Sequence, residues 1–335
     1  AGAAGSRARS DRRLTDIMSM DLPPSAPAAP VDLRATGAAR RRLHVQRAVK
    51  AILASASGLT VLVTVLIAFS LVGPTIDFLR EVSISRFFSG EAWAPLFNPP
   101  RFGVWPIVVG TLWVTFIASF VAVPLGLGAA FYLSEYAPPK VRAVLKPFLE
   151  ILAGVPTVVL GFFALTFVTP EIVQRFWPVG DVGTFSGLSA GLVVGIMLVP
   201  TVASLSEDAM SAVPTGLRES AYALAATRRE VCTTVIFPAA LSGIVASVVL
   251  AASRAIGETT IVLIAAGSRP VLTTNPGEQM QSMASFIGFA GIGDQPTGST
   301  GYKTIFAVGS LLFVITLLLN IVSIRTVRRF REVYE

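Results

Sequence analysis

Six apolar runs, each long enough to cross a membrane, leave this 335-residue chain little choice of fold. A spanning helix needs roughly 20 mostly apolar residues for a hydrocarbon core of about 30 Å. The runs cover about 49–72, 105–133, 148–168, 184–205, 235–264 and 304–324. Short polar links join most of them, the pattern of a helical bundle rather than of alternating barrel strands. With 53% hydrophobic and 14% charged residues and a mean hydropathy of +0.69, the chain is unlike a soluble domain. The expected class is all-α integral membrane.

Where the charges fall sets the expected topology. The net charge is +7, and the basic residues flank the apolar runs or lie in the N-terminal arm, so they are read as topology signals and not as a nucleic-acid surface. Arg40, Arg41, Arg42, Arg47 and Lys50 surround the start of the first run, Lys140, Arg142 and Lys146 follow the second, and Arg325, Arg328, Arg329 and Arg331 follow the last. Both termini are therefore expected on the cytoplasmic side of a multi-pass membrane protein, with the lipid bilayer as its surroundings. Residues 1–46 read as a basic, flexible cytoplasmic arm, and 47–335 as the transmembrane domain. Residues 75–103, with an Asn98-Pro99-Pro100 turn, and 268–302 are expected as external segments, and 206–233 as cytoplasmic.

Several chemistries are excluded. Cys232 is the only cysteine and His44 the only histidine, which removes disulfides and Cys/His metal clusters. Gly187-Leu188-Ser189-Ala190-Gly191 matches a nucleophile-elbow pattern, but it opens an apolar run and has no histidine to serve it. Gly187, Gly191 and Gly195 read instead as a small-residue stripe for close helix packing. With no Gly-Lys-Ser/Thr phosphate loop, the chain is expected to be no ATPase by itself and to hold no cofactor, the energy coming from a partner or a gradient.

Two stretches carry the functional reading. In the cytoplasmic segment, Arg218-Glu219-Ser220-Ala221 is followed by Ala225, Val235 and Pro238. Small residues there let a short helix seat in a groove of another protein, with Glu219, Arg218, Arg228 and Arg229 as polar contacts; the plain alternative is a solvated linker helix. In the fifth run, Arg254-Ala255-Ile256-Gly257-Glu258-Thr259 places two charges within apolar sequence, where each costs about 2.5–3.5 kcal/mol. Four apart, they would share one helix face and could pair. The pair either neutralises itself and pins a neighbouring helix, or Arg254 lines a pathway and offers an oxyanion its fork of donors.

The spacing after Glu219 resembles the "EAA" loop of bacterial ABC importer permeases: Glu-Ala-Ala, three residues, Gly, nine residues, Ile, one residue, Leu-Pro. Here Ser220, Ala225, Val235 and Phe237 replace Ala, Gly, Ile and Leu. The run Arg254 to Thr259 is similar to a signature of the phosphate-specific permeases, and Phe102-Gly103-Val104-Trp105-Pro106 is similar to the PstC type. The PstA type usually continues with Ala-Pro-Leu, where this chain has Thr260-Ile261-Val262. The resemblance covers about residues 47–330. It implies a six-transmembrane-helix type I ABC importer permease fold, with phosphate as substrate. It also implies a PstA-like permease partner, two ATP-binding subunits that hold ATP and Mg, and an extracytoplasmic phosphate-binding protein. By the same resemblance Arg254, Glu258 and Thr259 belong to the substrate pathway, and Arg218, Glu219, Ser220, Ala221 and Ala225 to ATPase coupling. A permease for sulfate or molybdate, and a proton-coupled secondary transporter using Glu258, remain the alternatives.

Overall fold

The computed structural model describes residues 37–329 apart from 179 and 181. Eleven helices can be named in chain order, and six of those described are long and apolar enough to span a membrane. The first, α1, is Gly37–Glu81. A short helix, α2 (Ile84–Ser89), and a hairpin of two-residue strands, β1 (Trp93–Ala94) and β2 (Arg101–Phe102), lead to α3 (Trp105–Tyr136). Then come α4 (Pro139–Ala153), α5 (Thr157–Phe176), α6 (Gly187–Ser211), α7 (Thr215–Ala223) and α8 (Arg228–Ile256). The chain closes with α9 (Thr260–Ala265), α10 (Met283–Ile292) and α11 (Thr300–Arg329). By its contacts the chain divides at Thr64. The first unit contributes the first part of α1, whose side chains from His44 to Thr64 are all exposed, apolar ones included, as suits a helix surrounded by lipid.

The second unit, from Val65, holds the core. Its centre is the parallel contact of α3 with α6. A Cβ on Gly191 would stand 2.8 Å from the Ile117 side chain, and one on Gly195 2.7 Å from Val121. The absence of those Cβ atoms lets the two backbones meet, which is how helices associate where apolar burial gives no net drive. α8 runs antiparallel along α6, with Ser247 and Ser206 sharing a buried hydroxyl hydrogen bond of 2.8 Å. A second apolar cluster gathers Phe78, Phe87, Trp93, Phe102 and Phe286, joined edge to face.

Several sequence boundaries are corrected. Residues 37–46, expected in a flexible arm, are helical, and residues 1–36 of that arm lie outside the described residues, as do Asp181 and Arg331. The first helix does not end at Gly73-Pro74 but runs to Glu81. The third span is not 148–168. α4 is a separate amphipathic helix, and the span is Thr157–Phe176. The sequence-based boundary merged the apolar face of α4 with the next apolar run across the Gly154–Pro156 break. α6 continues through Ser206, Glu207 and Asp208, so the segment expected on the cytoplasmic side starts later than residue 206. The fifth run breaks at Gly257.

The loop expected over 268–302 is partly core. Gln279 is half-buried, Met280, Gln281 and Ser282 are buried, and the apolar helix α10 follows. This segment serves the start of α6: the Gly187 and Leu188 N–H groups donate to the carbonyls of Glu278 (3.0 Å) and Pro276 (2.7 Å). The first turn of a helix has no intrahelical acceptors for its N–H groups, and here the loop supplies them.

Wide, π-type turns occupy Tyr132–Tyr136, Ala164–Val173 and Val231–Ile236, each holding or closely preceding a proline: Pro138, Pro170 and Pro238. A proline has no N–H and its ring crowds the carbonyl four residues back, and a wider turn accommodates both.

Gly195→Val should lower the thermal unfolding midpoint of the detergent-purified protein, by a cost of about 1–3 kcal/mol for overpacking. Gly128→Ala, at a position with open space around it, should leave the midpoint unchanged or raise it.

Candidate functional site

Gly257 ends α8 and parts the two charges of the fifth run. Its N–H turns back to the Ala255 carbonyl, and the Glu258 N–H does the same at 3.2 Å. The Glu258 carboxylate then accepts from the Thr260 N–H (3.0 Å) and the Ile261 N–H (3.1 Å), the first donors of α9. A carboxylate at a helix start meets free N–H groups and the positive end of the helix dipole. Thr259 donates its hydroxyl to the Gly257 carbonyl at 3.2 Å, and its methyl lies where a Cβ on Gly288 would be 2.8 Å away. The expectation of an Arg254–Glu258 pair on one helix face is thus corrected: the helix stops between them, and Arg254 makes no ion pair among the described residues. Its exposed guanidinium reaches only the Thr201 hydroxyl on α6, at 3.5 Å.

Arg254 therefore keeps most of its five N–H donors free, as binding an oxyanion requires. Thr201 also lines a cavity of about 190 Å³ with Ser204, Lys146, Glu150 and Glu207. Two carboxylates against one ammonium make that cavity a poor seat for an anion.

At the other end of α8, the chain makes an exposed helical turn. α7 packs Leu217 and Ala221 on a cluster that includes Met210, Val213, Val231 and Ile236. Glu219 and Ser220 face outward, as do Tyr222 and Leu224, the last 85% exposed. Ala225 has φ of 61°, the left-handed conformation. Glycine takes this without strain, and alanine holds it at a cost of about 1–2 kcal/mol. The turn forms with alanine at the position where the resembled loop has glycine. Thr227 then starts α8 with a capping box: its hydroxyl accepts from the Glu230 N–H while Glu230 accepts from the Thr227 N–H at 2.7 Å.

Two buried carboxylates escaped the sequence reading. Glu207, 1% exposed, receives Arg142 on Oε1, Lys146 on Oε2 at 2.8 Å and the Ser211 hydroxyl at 3.1 Å, while Lys146 also reaches Asp208 at 3.2 Å. Read from sequence as topology markers, Arg142 and Lys146 fasten α4 to α6. Their spacing of four on an amphipathic helix was the available signal. Glu135, at the end of α3, takes Arg218 at 2.7 Å. Arg218, expected to face an ATPase, is turned into its own chain instead.

A membrane bundle with an arginine that has no ion-pair partner among the described residues, beside a mid-helix break, and an exposed helical turn at one end are features a membrane subunit of a transporter would use. The chain belongs to the family described as binding-protein-dependent transport system inner membrane component, which it matches over residues 122–332. It is 35% identical to the probable ABC transporter permease protein YqgH of Bacillus subtilis (strain 168), over 72% of this chain and 76% of that one. It is 32% identical to the phosphate transport system permease protein PstC of Mesorhizobium japonicum, over 70% and 75%. Its fold is that of an ABC permease: the crystal structure of a bacterial alginate ABC transporter, in complex with a periplasmic protein carrying an alginate pentasaccharide, has a chain that superposes with a TM-score of 0.59. That chain shares 15% identity, with 87% of this chain and 99% of that one covered. The expected six-helix importer permease architecture, and a multi-pass inner-membrane placement, follow.

Glu258→Ala should leave the Thr260 and Ile261 N–H groups without their acceptor and cost about 1 kcal/mol, seen as a lower unfolding midpoint. Glu258→Gln, whose amide oxygen still accepts, should retain most of the midpoint.

Proposed function

We propose that the chain is one membrane subunit of an ATP-driven importer of inorganic phosphate. The observation that carries this reading is the free guanidinium of Arg254 within Arg254-Ala255-Ile256-Gly257-Glu258-Thr259, in a chain similar to phosphate transport permeases. An importer must hold its anion without trapping it. A lone arginine with a neutral hydroxyl neighbour offers attraction and a forked geometry, with no second cation to deepen the well. The chain supplies no phosphate loop, so ATP and Mg are held by two partner ATP-binding subunits. A PstA-like permease completes the pathway over the exposed face of Arg254, and an extracytoplasmic phosphate-binding protein delivers the ion to the end built from 75–103 and 268–302. Both termini are cytoplasmic in this reading, which puts Arg142, Lys146, Arg218, Arg228 and Arg229 on the basic side.

The turn from α7 to α8 is the contact with the ATP-binding subunit. Tyr222 and Leu224 supply apolar anchors, and Glu219, Ser220 and Ala225 shape the seat. Closure of the nucleotide subunits would move this turn and switch the bundle between its two openings.

In proteoliposomes holding the assembled complex, phosphate uptake should exceed sulfate and molybdate uptake, and Arg254→Gln should reduce it at least about tenfold, the effect of losing a charge-assisted contact. Preferential uptake of another oxyanion would overturn the substrate assignment. Leu224→Asp should abolish co-purification of the ATP-binding subunit, since a central apolar anchor contributes about 2 kcal/mol or more to an interface. Glu219→Lys should leave ATP hydrolysis running with little uptake.

A further inference from the structure

The exposed α7 turn needs a mechanical connection to the spanning helices, and its apolar contacts are slight. α7 has nine residues, none fully buried, and rests mainly on Leu217 and Ala221. Among the described residues it makes a single ion pair, Arg218 with Glu135, and both partners are largely enclosed, at 20% and 8% exposure. One guanidinium nitrogen, Nη1, donates to Glu135 Oε1 at 2.7 Å. The other, Nη2, donates to the Met210 carbonyl at 2.6 Å. Ser134 donates to the same Glu135 oxygen at 2.8 Å and steadies it. One side chain of α7 is therefore fixed to the ends of two spanning helices at once, α3 through Glu135 and α6 through Met210.

Those two helices are the pair that pack closely where Gly191 and Gly195 receive Ile117 and Val121. α6 also carries Thr201, the group that touches Arg254. Met210 and Thr201 are nine residues apart on one uninterrupted helix, about 13 Å at 1.5 Å per residue. A displacement of α7 transmitted through Arg218 therefore reaches the Arg254 region along a stiff element with no loop in between.

We propose that Arg218 and Glu135 are positioning residues for transport: together with the Met210 carbonyl they form the link through which movement of the α7 turn is passed to α3 and α6. This rests on the reading of the α7 turn as the ATPase contact. A lysine at 218 can keep the charge pair but lacks the fork that also reaches the Met210 carbonyl. Paired replacement by apolar residues of similar size removes the link without leaving a lone buried charge, and such replacements are commonly neutral or stabilising.

The test uses the reconstituted complex with all its subunits and reads ions imported per ATP hydrolysed, together with the unfolding midpoint. Glu135→Leu combined with Arg218→Met should assemble with a midpoint near that of the unaltered complex, yet import at least about tenfold fewer ions per ATP, as loss of a rigid two-point contact implies. Arg218→Lys should fall between the two. An unaltered ratio in the double variant overturns the proposal, as does a loss that tracks the midpoint across the variants, including a double variant that fails to assemble while Arg218→Lys assembles and couples normally. The ratio is read for whichever oxyanion the unaltered complex imports, so a substrate other than phosphate counts against the function proposed above and leaves the test of the link intact.

Discussion

Inside a bilayer no water is present to satisfy a peptide N–H or carbonyl, and this constraint shapes nearly every feature of the chain. It requires helices across the membrane, and it makes each interruption carry its own replacement partners. The start of α6 borrows the carbonyls of Pro276 and Glu278, and the start of α9 borrows the Glu258 carboxylate. At Pro170, where a proline removes a donor, the helix widens to a π turn rather than parting. The break at Gly257 is tolerable because Glu258 and Thr259 take up the backbone groups it exposes.

The same economy governs the charges. Glu207 is buried because Arg142, Lys146 and Ser211 surround it, and Glu135 because Arg218 and Ser134 do. Breaking one partner of such a set costs about 3–5 kcal/mol, which makes each of these sets a fixed point of the fold. Arg254 stands apart from them: among the described residues it has a hydroxyl neighbour and no carboxylate partner. An exposed arginine with no ion-pair partner among the described residues, while the enclosed Glu207 and Glu135 are matched, is the feature that the functional reading turns on.

Hydropathy alone located the six spans, because apolar length is a property of composition and needs no knowledge of neighbours. Their ends were harder to read, since an amphipathic helix such as α4 contributes an apolar face that merges with the next run. The spacing of Arg254 and Glu258 suggested a shared helix face, and the misleading assumption was continuity: glycine followed by a polar pair is itself a helix-stop signal. The outward placement of Glu219 and Ser220 was legible from the motif spacing, whereas Leu224 was not among the residues it marked. The inward turn of Arg218 was not, because its partner Glu135 lies far away in sequence on a different helix. Ala225 shows the opposite case, in which a residue unfavourable to a turn adopts the left-handed conformation because the packing of Leu217, Ala221 and Ala226 on either side determines the path.

α6 touches the arginine through Thr201 and the outer turn through Met210, and no loop lies between the two positions. It acts as a ruler whose marks are helical turns. Adding or deleting one residue between 201 and 210 would rotate one end against the other by about 100° and shift it by 1.5 Å, so both contacts could not be kept. The length of this stretch is therefore quantised: related chains can exchange its side chains, but insertions and deletions should be confined to the loops outside it, whatever ion they carry.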